Sequence, residues 1–369
     1  MGNLQRLLIP GAVLQSVMIG GGYGTGREVV EFFTRFGALP GLAGLVLAAA
    51  GVALVFALSL ELARRAQAFD YRSFFKALLG PFWVSYELLL LLLVMLVLGV
   101  ISAASHGMLQ RFWPTVPSWA SSLLFIAVVV GLTFFGRAVV TWLLTFWSLV
   151  LYAAFATLTA VVLYAHGTEL ALALAGGAPS ASSDGWALSA LRYVGYNVTA
   201  IPVVLFAARQ LSSRRETLVA GFFGGLLAVL PAVALHLCFV ALGAEVYENQ
   251  ALPLFRVLDG LGLPWLTLWL SVVLLGTFLE TALGDIQGIL ERMDRWREEQ
   301  TGRGFSPWTH GAMALSLLGV AAYLGQLGVV ALIGEGYGTL SWGFLLVYIL
   351  PLLLWGLRTA VAGKAPGGQ

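Results

Sequence analysis

Residues 20–31 read Gly20-Gly21-Gly22-Tyr23-Gly24-Thr25-Gly26-Arg27-Glu28-Val29-Val30-Glu31, with five glycines in the first seven positions and three charges after them, inside the first long apolar stretch. In hydrocarbon every backbone N–H and C=O needs an internal partner, so irregular backbone at that depth survives only where protein covers it or a polar cavity receives it. Glycine also accumulates where membrane helices touch. The charges that follow at once favour a binding site over a packing seam. A second interruption, Gly195-Tyr196-Asn197-Val198-Thr199-Ala200-Ile201-Pro202, opens the second half of the chain. Broken helices at corresponding positions of two halves are the mark of an inverted-repeat transporter.

Working outward, the 369 residues are 59% hydrophobic and only 10% charged, with a mean hydropathy of +0.90. Soluble domains carry about 25% charged residues, so the solvent here is a lipid bilayer. A net charge of +2, with basic residues scattered at segment ends, excludes nucleic-acid binding as a function class. The single cysteine, Cys238, allows no intrachain disulfide and no Cys-based metal site. The N-terminal apolar stretch contains Gln15 and Ser16 and lacks a cleavage pattern, so it reads as a retained helix.

A span needs roughly 20 apolar residues, and by that rule ten segments are expected: 6–36, 39–65, 82–110, 118–136, 139–165, 186–211, 216–243, 264–297, 309–333 and 337–358. The stretch 167–185, with Gly176-Gly177-Ala178-Pro179-Ser180-Ala181-Ser182-Ser183-Asp184, has loop chemistry and divides the chain into a repeat at 1–166 and a repeat at 186–360, followed by a tail at 361–369. Placing the N-terminus inside puts 15 of the 20 Lys and Arg residues at inner ends. Cytoplasmic loops carry that excess. Both termini are then cytoplasmic, 167–185 is extracellular, and an odd number of segments per half forces the halves into opposite orientations. The outer connection 246–260, with Leu252, Leu254, Phe255, Val257 and Leu258, reads as an amphipathic lid helix or a plain loop.

The run Gly20 to Glu28, with Glu31-Phe32-Phe33 after it, resembles the opening signature of the YkvI-like bacterial membrane proteins. That family resembles the amino acid-polyamine-organocation superfamily. The resemblance implies an all-α integral membrane protein with the LeuT fold, ten helices in a five-plus-five inverted repeat with the first and sixth broken, in the bacterial inner membrane. In sodium-coupled carriers of that fold the eighth segment donates hydroxyl ligands to an ion that bridges to the first break, a role Thr277 or Thr281 would match here with Gly20.

The residues themselves carry further expectations. At the first break, Gly20, Gly21, Gly22, Gly24 and Gly26 offer backbone approach, Tyr23 an aromatic wall and Thr25 a hydroxyl donor or cap. Arg27 and Glu31, four apart, are helix neighbours and form either a gate or a structural pair. Glu28 sits in the first turn of the outer half-helix, the niche that a substrate carboxylate would otherwise use. At the second break Tyr196, Asn197 and Thr199 supply polar groups, and Pro202 frees a carbonyl for Na+ or an ammonium. Arg192, on the same outer side, either pairs with the first-segment carboxylates as a gate or snorkels to the interface.

In the eighth segment Thr277, Glu280, Thr281, Gly284 and Asp285 recur on one face, and Glu280 lies roughly 24 Å from Pro264 at about 1.5 Å per residue. A carboxyl there is protonated, paired or ligating a cation, whereas Asp285 is expected nearer the interface and solvated. His106 and His236 are isolated, and no HExxH, GxSxG or phosphate loop occurs. An enzyme is therefore not expected, and no cofactor beyond Na+ or H+ as coupling ion. The leading reading is a secondary transporter of a small polar solute, an amino acid or related compound. The alternatives are a ligand-sensing permease-like subunit of the germinant-receptor kind and an inorganic ion carrier or channel. No protein partner is specified.

Overall fold

The computed structural model describes residues 3–134, 137–177, 184–248 and 250–362, and these are helical apart from short turns. The first segment is three helices in line: α1 Asn3–Met18, a single turn α2 Gly21–Gly24, and α3 Arg27–Phe32. Gly20 is extended (φ −94°, ψ −175°), and Gly26 has φ +78°, a left-handed conformation that glycine adopts without a Cβ penalty. There follow α4 Ala38–Ala66, α5 Tyr71–Leu79, α6 Val84–Phe112, α7 Ser118–Thr133 and α8 Arg137–Leu172. The second half has α9 Trp186–Asn197 running into a 3₁₀ stretch Val198–Gln210, then α10 Arg214–Leu242, α11 Pro253–Leu261, α12 Pro264–Thr301 and α13 Pro307–Gly325. The chain closes with α14 Val329–Ala331, α15 Gly338–Phe344 and α16 Leu350–Ala362, joined by π-helical turns Leu332–Tyr337 and Leu345–Ile349.

Among the described residues seven helices are long and apolar enough to cross a membrane: Ala38–Ala66, Tyr71–Phe112, Leu149–Gly176, Trp186–Gln210, Arg214–Leu242, Pro264–Thr301 and Val329–Thr359. The broken first segment and α7 are apolar but shorter. The chain is a multi-pass membrane protein.

Three boundaries differ from the sequence reading. The fifth segment does not stop at 165. His166 only kinks it (φ −128°, ψ 26°) and the Leu- and Ala-rich sequence continues helical to Leu172, then through a π turn to Gly177. The first part of the expected loop is thus helix, and 178–183 lies outside the described residues. The ninth segment ends at Gly325, and residues 329–333 belong to the tenth, because Gly328 (φ +85°) turns the chain between them. The amphipathic α5 was not expected at all. Asp70 starts it, its Oδ1 accepting from the N–H groups of Arg72 (3.1 Å) and Ser73 (3.0 Å), and it buries Phe74 and Phe75.

The tightest packing joins α4 to α10. A Cβ on Gly221 or Gly225 would collide with the backbone of Ala57 or Ala53, and one on Gly11 of α1 would strike Gly224. Such backbone contact is what small residues provide where no water drives helices together. The polar groups beneath it are paired: buried His236 bonds to the Ala38 carbonyl through Nε2 (3.0 Å) and to the Thr34 hydroxyl through Nδ1 (3.0 Å). The carbonyl requires Nε2 to carry the proton, so Nδ1 accepts from Thr34.

Gly225→Val therefore forces α4 and α10 apart and costs about 1–3 kcal/mol of stability by overpacking. Gly319→Ala on α13, where nothing lies within 4 Å of the added carbon, should be neutral or stabilising by up to about 1 kcal/mol. Thermal unfolding of the two purified variants checks the contrast.

Candidate functional site

The two breaks face each other across a cavity of about 500 Å³. Its deep wall takes Gly20, Gly22 and Glu28 from the first segment, Tyr196, Asn197 and Thr199 from the sixth, Thr281 and Asp285 from α12, and Tyr337 from the tenth. At one end the wall reaches Asp70 and Arg295, both exposed, so the cavity opens there. That end carries Arg64, Arg65 and Arg292 and is the one expected inside.

The other end is sealed. The amphipathic stretch read as a lid or a loop forms α11, with Leu254, Phe255, Val257 and Leu258 buried beneath it. The Leu254 N–H donates to the Thr25 carbonyl (3.2 Å), so the seal is bonded directly to the first break. The Arg27 guanidinium donates to the Gln250 carbonyl (3.2 Å) and to Glu31 Oε2 (2.6 Å), while Glu31 Oε1 also takes Arg35. Arg27 and Glu31 thus form the expected pair on the closed side.

Within the glycine run only Gly20 and Gly22 line the cavity. Gly24 packs on Leu274 and Gly26 on Phe239, while Gly21 opens α2. Tyr23 is fully buried away from the cavity and supplies no wall to it, a correction to the sequence reading. Thr25 acts as a pin between the two short helices, its hydroxyl donating to the Gly22 carbonyl (2.7 Å) and accepting from the Arg27 N–H (3.1 Å). The resulting turn brings Glu28 back over the break. Tyr196 Oη donates to Glu28 Oε2 (2.5 Å), and Glu28 Oε1 fills the space a side chain on Gly22 would need. The rings of Tyr337 and Phe32 flank that of Tyr196 at 5.0 and 5.4 Å. Asn197 and Thr199 turn their donors to their own backbone, at Tyr193 O (3.1 Å) and Tyr196 O (2.6 Å).

The expected ion pair between Arg192 and the first-segment carboxylates does not form. Arg192 instead donates to the carbonyls of Gly334 (3.2 Å) and Gly338 (3.3 Å). A π turn displaces backbone carbonyls from the regular ladder, and the guanidinium satisfies two of them, which is neither gating nor snorkelling. The sequence carries no sign of the π turn, so this partner was not visible in it.

On α12 Thr281, Gly284 and Asp285 of the expected polar face line the cavity, and Thr277 and Glu280 do not. Thr281 faces Gly20, its Oγ1 3.6 Å from where a Cβ on that glycine would lie, joining the eighth segment to the first break. The Thr277 and Thr281 hydroxyls donate to Val273 O and Thr277 O, both at 2.9 Å. Glu280 is not on the cavity: one position from Thr281 is about 100° around the helix, and its charge acts on Tyr152 of α8. Asp285, expected to be solvated, lines the cavity instead, and its Oδ2 is buried without a hydrogen-bond partner. The spacing 281, 284, 285, 288 was the signal for it.

Ion pairs frame the open mouth. Arg292 donates to Glu87 (3.1 Å) and lies over the Tyr71 ring, and the buried Glu61 accepts from Arg64, Arg65 and Thr217. At Asp70, burial opposes the charge, but hydrogen bonds from the Ser73 hydroxyl and from the Ser73 and Arg72 N–H groups win, holding its carboxyl below the usual range.

Solved transporters share this architecture. The manganese transporter of Eremococcus coleocola is similar over 93% of this chain and 77% of its own, with a TM-score of 0.60 at 12% identity. A Na+-coupled sialic acid symporter, in a substrate-bound outward-open state, is similar over 93% and 78%, also with a TM-score of 0.60 at 12% identity. The chain has the LeuT fold. No family model matches the sequence, and no curated protein matches it.

The LeuT-fold chain is therefore open at the basic end and closed at the other, and labelling can check that. Gly284 and Gly288 line the cavity with nothing within 4 Å of an added carbon. With the buried Cys238 replaced by Ser, Gly288→Cys should react with a charged, membrane-impermeant thiol reagent offered from the basic side. Leu254→Cys should be protected from both sides. Equal reactivity at the two positions would contradict the closure.

Proposed function

We propose that the chain is a secondary active transporter of a small organic solute of amino-acid size, coupled to Na+ or H+ and working by alternating access. The observation that supports it best is the cavity of about 500 Å³ at the meeting of two broken helices, open to one end and covered at the other. Discontinuous helices at the midplane are where carriers of this kind hold substrate, and the volume suits a small ligand. One protein similar in fold is a Na+-coupled symporter for an organic acid and another moves manganese. Manganese favours several oxygen or nitrogen ligands around one ion. Among the described residues no three His, Cys, Asp or Glu side chains gather to hold a metal, so we assign an organic solute.

The finer assignments extend this reading. Gly20, Thr277 and Thr281 would hold a sodium ion, with Glu28 or Asp285 carrying a proton in the alternative coupling. By its YkvI-like resemblance the protein resides in a bacterial inner membrane with both termini cytoplasmic.

Reconstitution into liposomes tests the proposal. A radiolabelled solute found by thermal-shift screening should accumulate above its outside concentration when a Na+ or pH gradient is imposed, and should not when both are collapsed. Thr281→Ala should reduce Na+-driven uptake at least tenfold if sodium is the coupling ion. Solute binding without accumulation under any gradient would replace transport by ligand sensing.

A further inference from the structure

We infer that the solute is an organic amine without a free carboxylate, recognised through its ammonium group by Glu28 and Asp285. This rests on the transporter reading and narrows its substrate class. Glu28 is only 6% exposed, faces the cavity and makes no ion pair among the described residues, its bond being to the Tyr196 hydroxyl. Asp285 enters from α12 with a buried carboxylate oxygen that no group bonds. Two carboxylates line one cavity, Glu28 with no ion pair among the described residues and Asp285 offset by the Arg292 charge at the mouth, an arrangement that is costly unless a further cation or a proton joins them.

Among the described residues the cavity's basic side chains are Arg292 and Arg295, which stand at its mouth and are engaged. Arg292 holds Glu87 at 3.1 Å, and Arg295 donates to the Glu291 carbonyl at 3.3 Å. A carboxylate entering the deep chamber would meet like charge on two sides, and the place beside Gly22 is already filled by Glu28 Oε1. An ammonium would meet two acceptors and the rings of Tyr196 and Tyr337, which attract cations through their faces. A bare metal ion would need more oxygen ligands than two carboxylates supply in a chamber this wide.

Decarboxylated pairs provide the test. The purified full-length protein is titrated with leucine against isoamylamine, phenylalanine against phenethylamine, and arginine against agmatine, with isovalerate as the anionic control. At least one amine should bind tenfold or more tightly than its parent amino acid, and isovalerate should not bind. Glu28→Gln and Asp285→Asn should each weaken that amine by about tenfold or more, the value of a charge-assisted hydrogen bond. If one variant does not fold, the other and the wild-type pairs still decide. Amino acids or isovalerate binding more tightly than the amines would overturn the inference and leave the transporter reading standing. Amine binding indifferent to both substitutions would do the same. No binding by any solute of any charge would overturn the transporter reading itself.

Discussion

Everything in this protein follows from the requirement that backbone broken inside a membrane must find its hydrogen bonds within the protein. Among the described residues the breaks in the first, sixth and tenth segments each have their own supply of partners. At the first, Thr25 bonds both flanking turns and Leu254 donates to the freed Thr25 carbonyl. At the sixth segment the backbone tightens into the 3₁₀ stretch Val198–Gln210, far longer than the three or four residues usual for that geometry. At the tenth, Arg192 reaches across to the carbonyls of Gly334 in the first π turn and of Gly338 just after it. The first and sixth breaks meet at one chamber through Gly20, Gly22, Tyr196, Asn197 and Thr199, while the Thr25, Leu254 and Arg192 groups that satisfy backbone lie off its wall.

How much of this was legible depended on whether a residue's chemistry or its geometry carried the message. The first break could be read because charges follow that density of glycine at once, which favours broken backbone over helix packing, and Glu28 could be placed beside it from sequence position alone. The lid helix was visible in the spacing of Leu254, Phe255, Val257 and Leu258. The π turns were not, since they are built from the same apolar residues as an α-helix, and the role of Arg192 was hidden with them. Glu280 and Asp285 illustrate a finer limit. Both fit a broad polar face on α12, and a difference of about 100° per residue separates a carboxylate facing the cavity from one facing α8. Tyr337 stood too far along the chain for sequence to bring it to Glu28.

The same constraint explains which parts can move. α1, α4 and α10 meet backbone to backbone at Gly11, Gly221, Gly224 and Gly225, where no side chain can slide or change rotamer. These helices are a rigid unit. Across the chamber the contacts are of another kind: Gly24 touches the end of the Leu274 side chain, Gly107 of α6 that of Leu252, and Gly336 that of Leu96. Side-chain ends of leucine can exchange partners at little cost, whereas a helix pair in backbone contact is bistable at best.

Opening the closed side would expose the apolar face of α11, with Leu254, Phe255, Val257 and Leu258, and would part its Asp259 from Arg111 of α6. Lifting α11 breaks the Leu254 to Thr25 bond and the Arg27 to Gln250 bond, but Arg27 keeps its pair with Glu31 because both sit on α3. The charge stays compensated while the seal comes apart. Hydrogen bonds of this kind are worth about 0.5–1.5 kcal/mol each once water replaces them. At the basic end Arg292, Tyr71 and Glu87 already bridge α12, α5 and α6 while the mouth is open. The closed end is thus held by the buried apolar face of α11 as well as by polar contacts, and the open end is framed by the contacts of Arg292 with Glu87 and Tyr71.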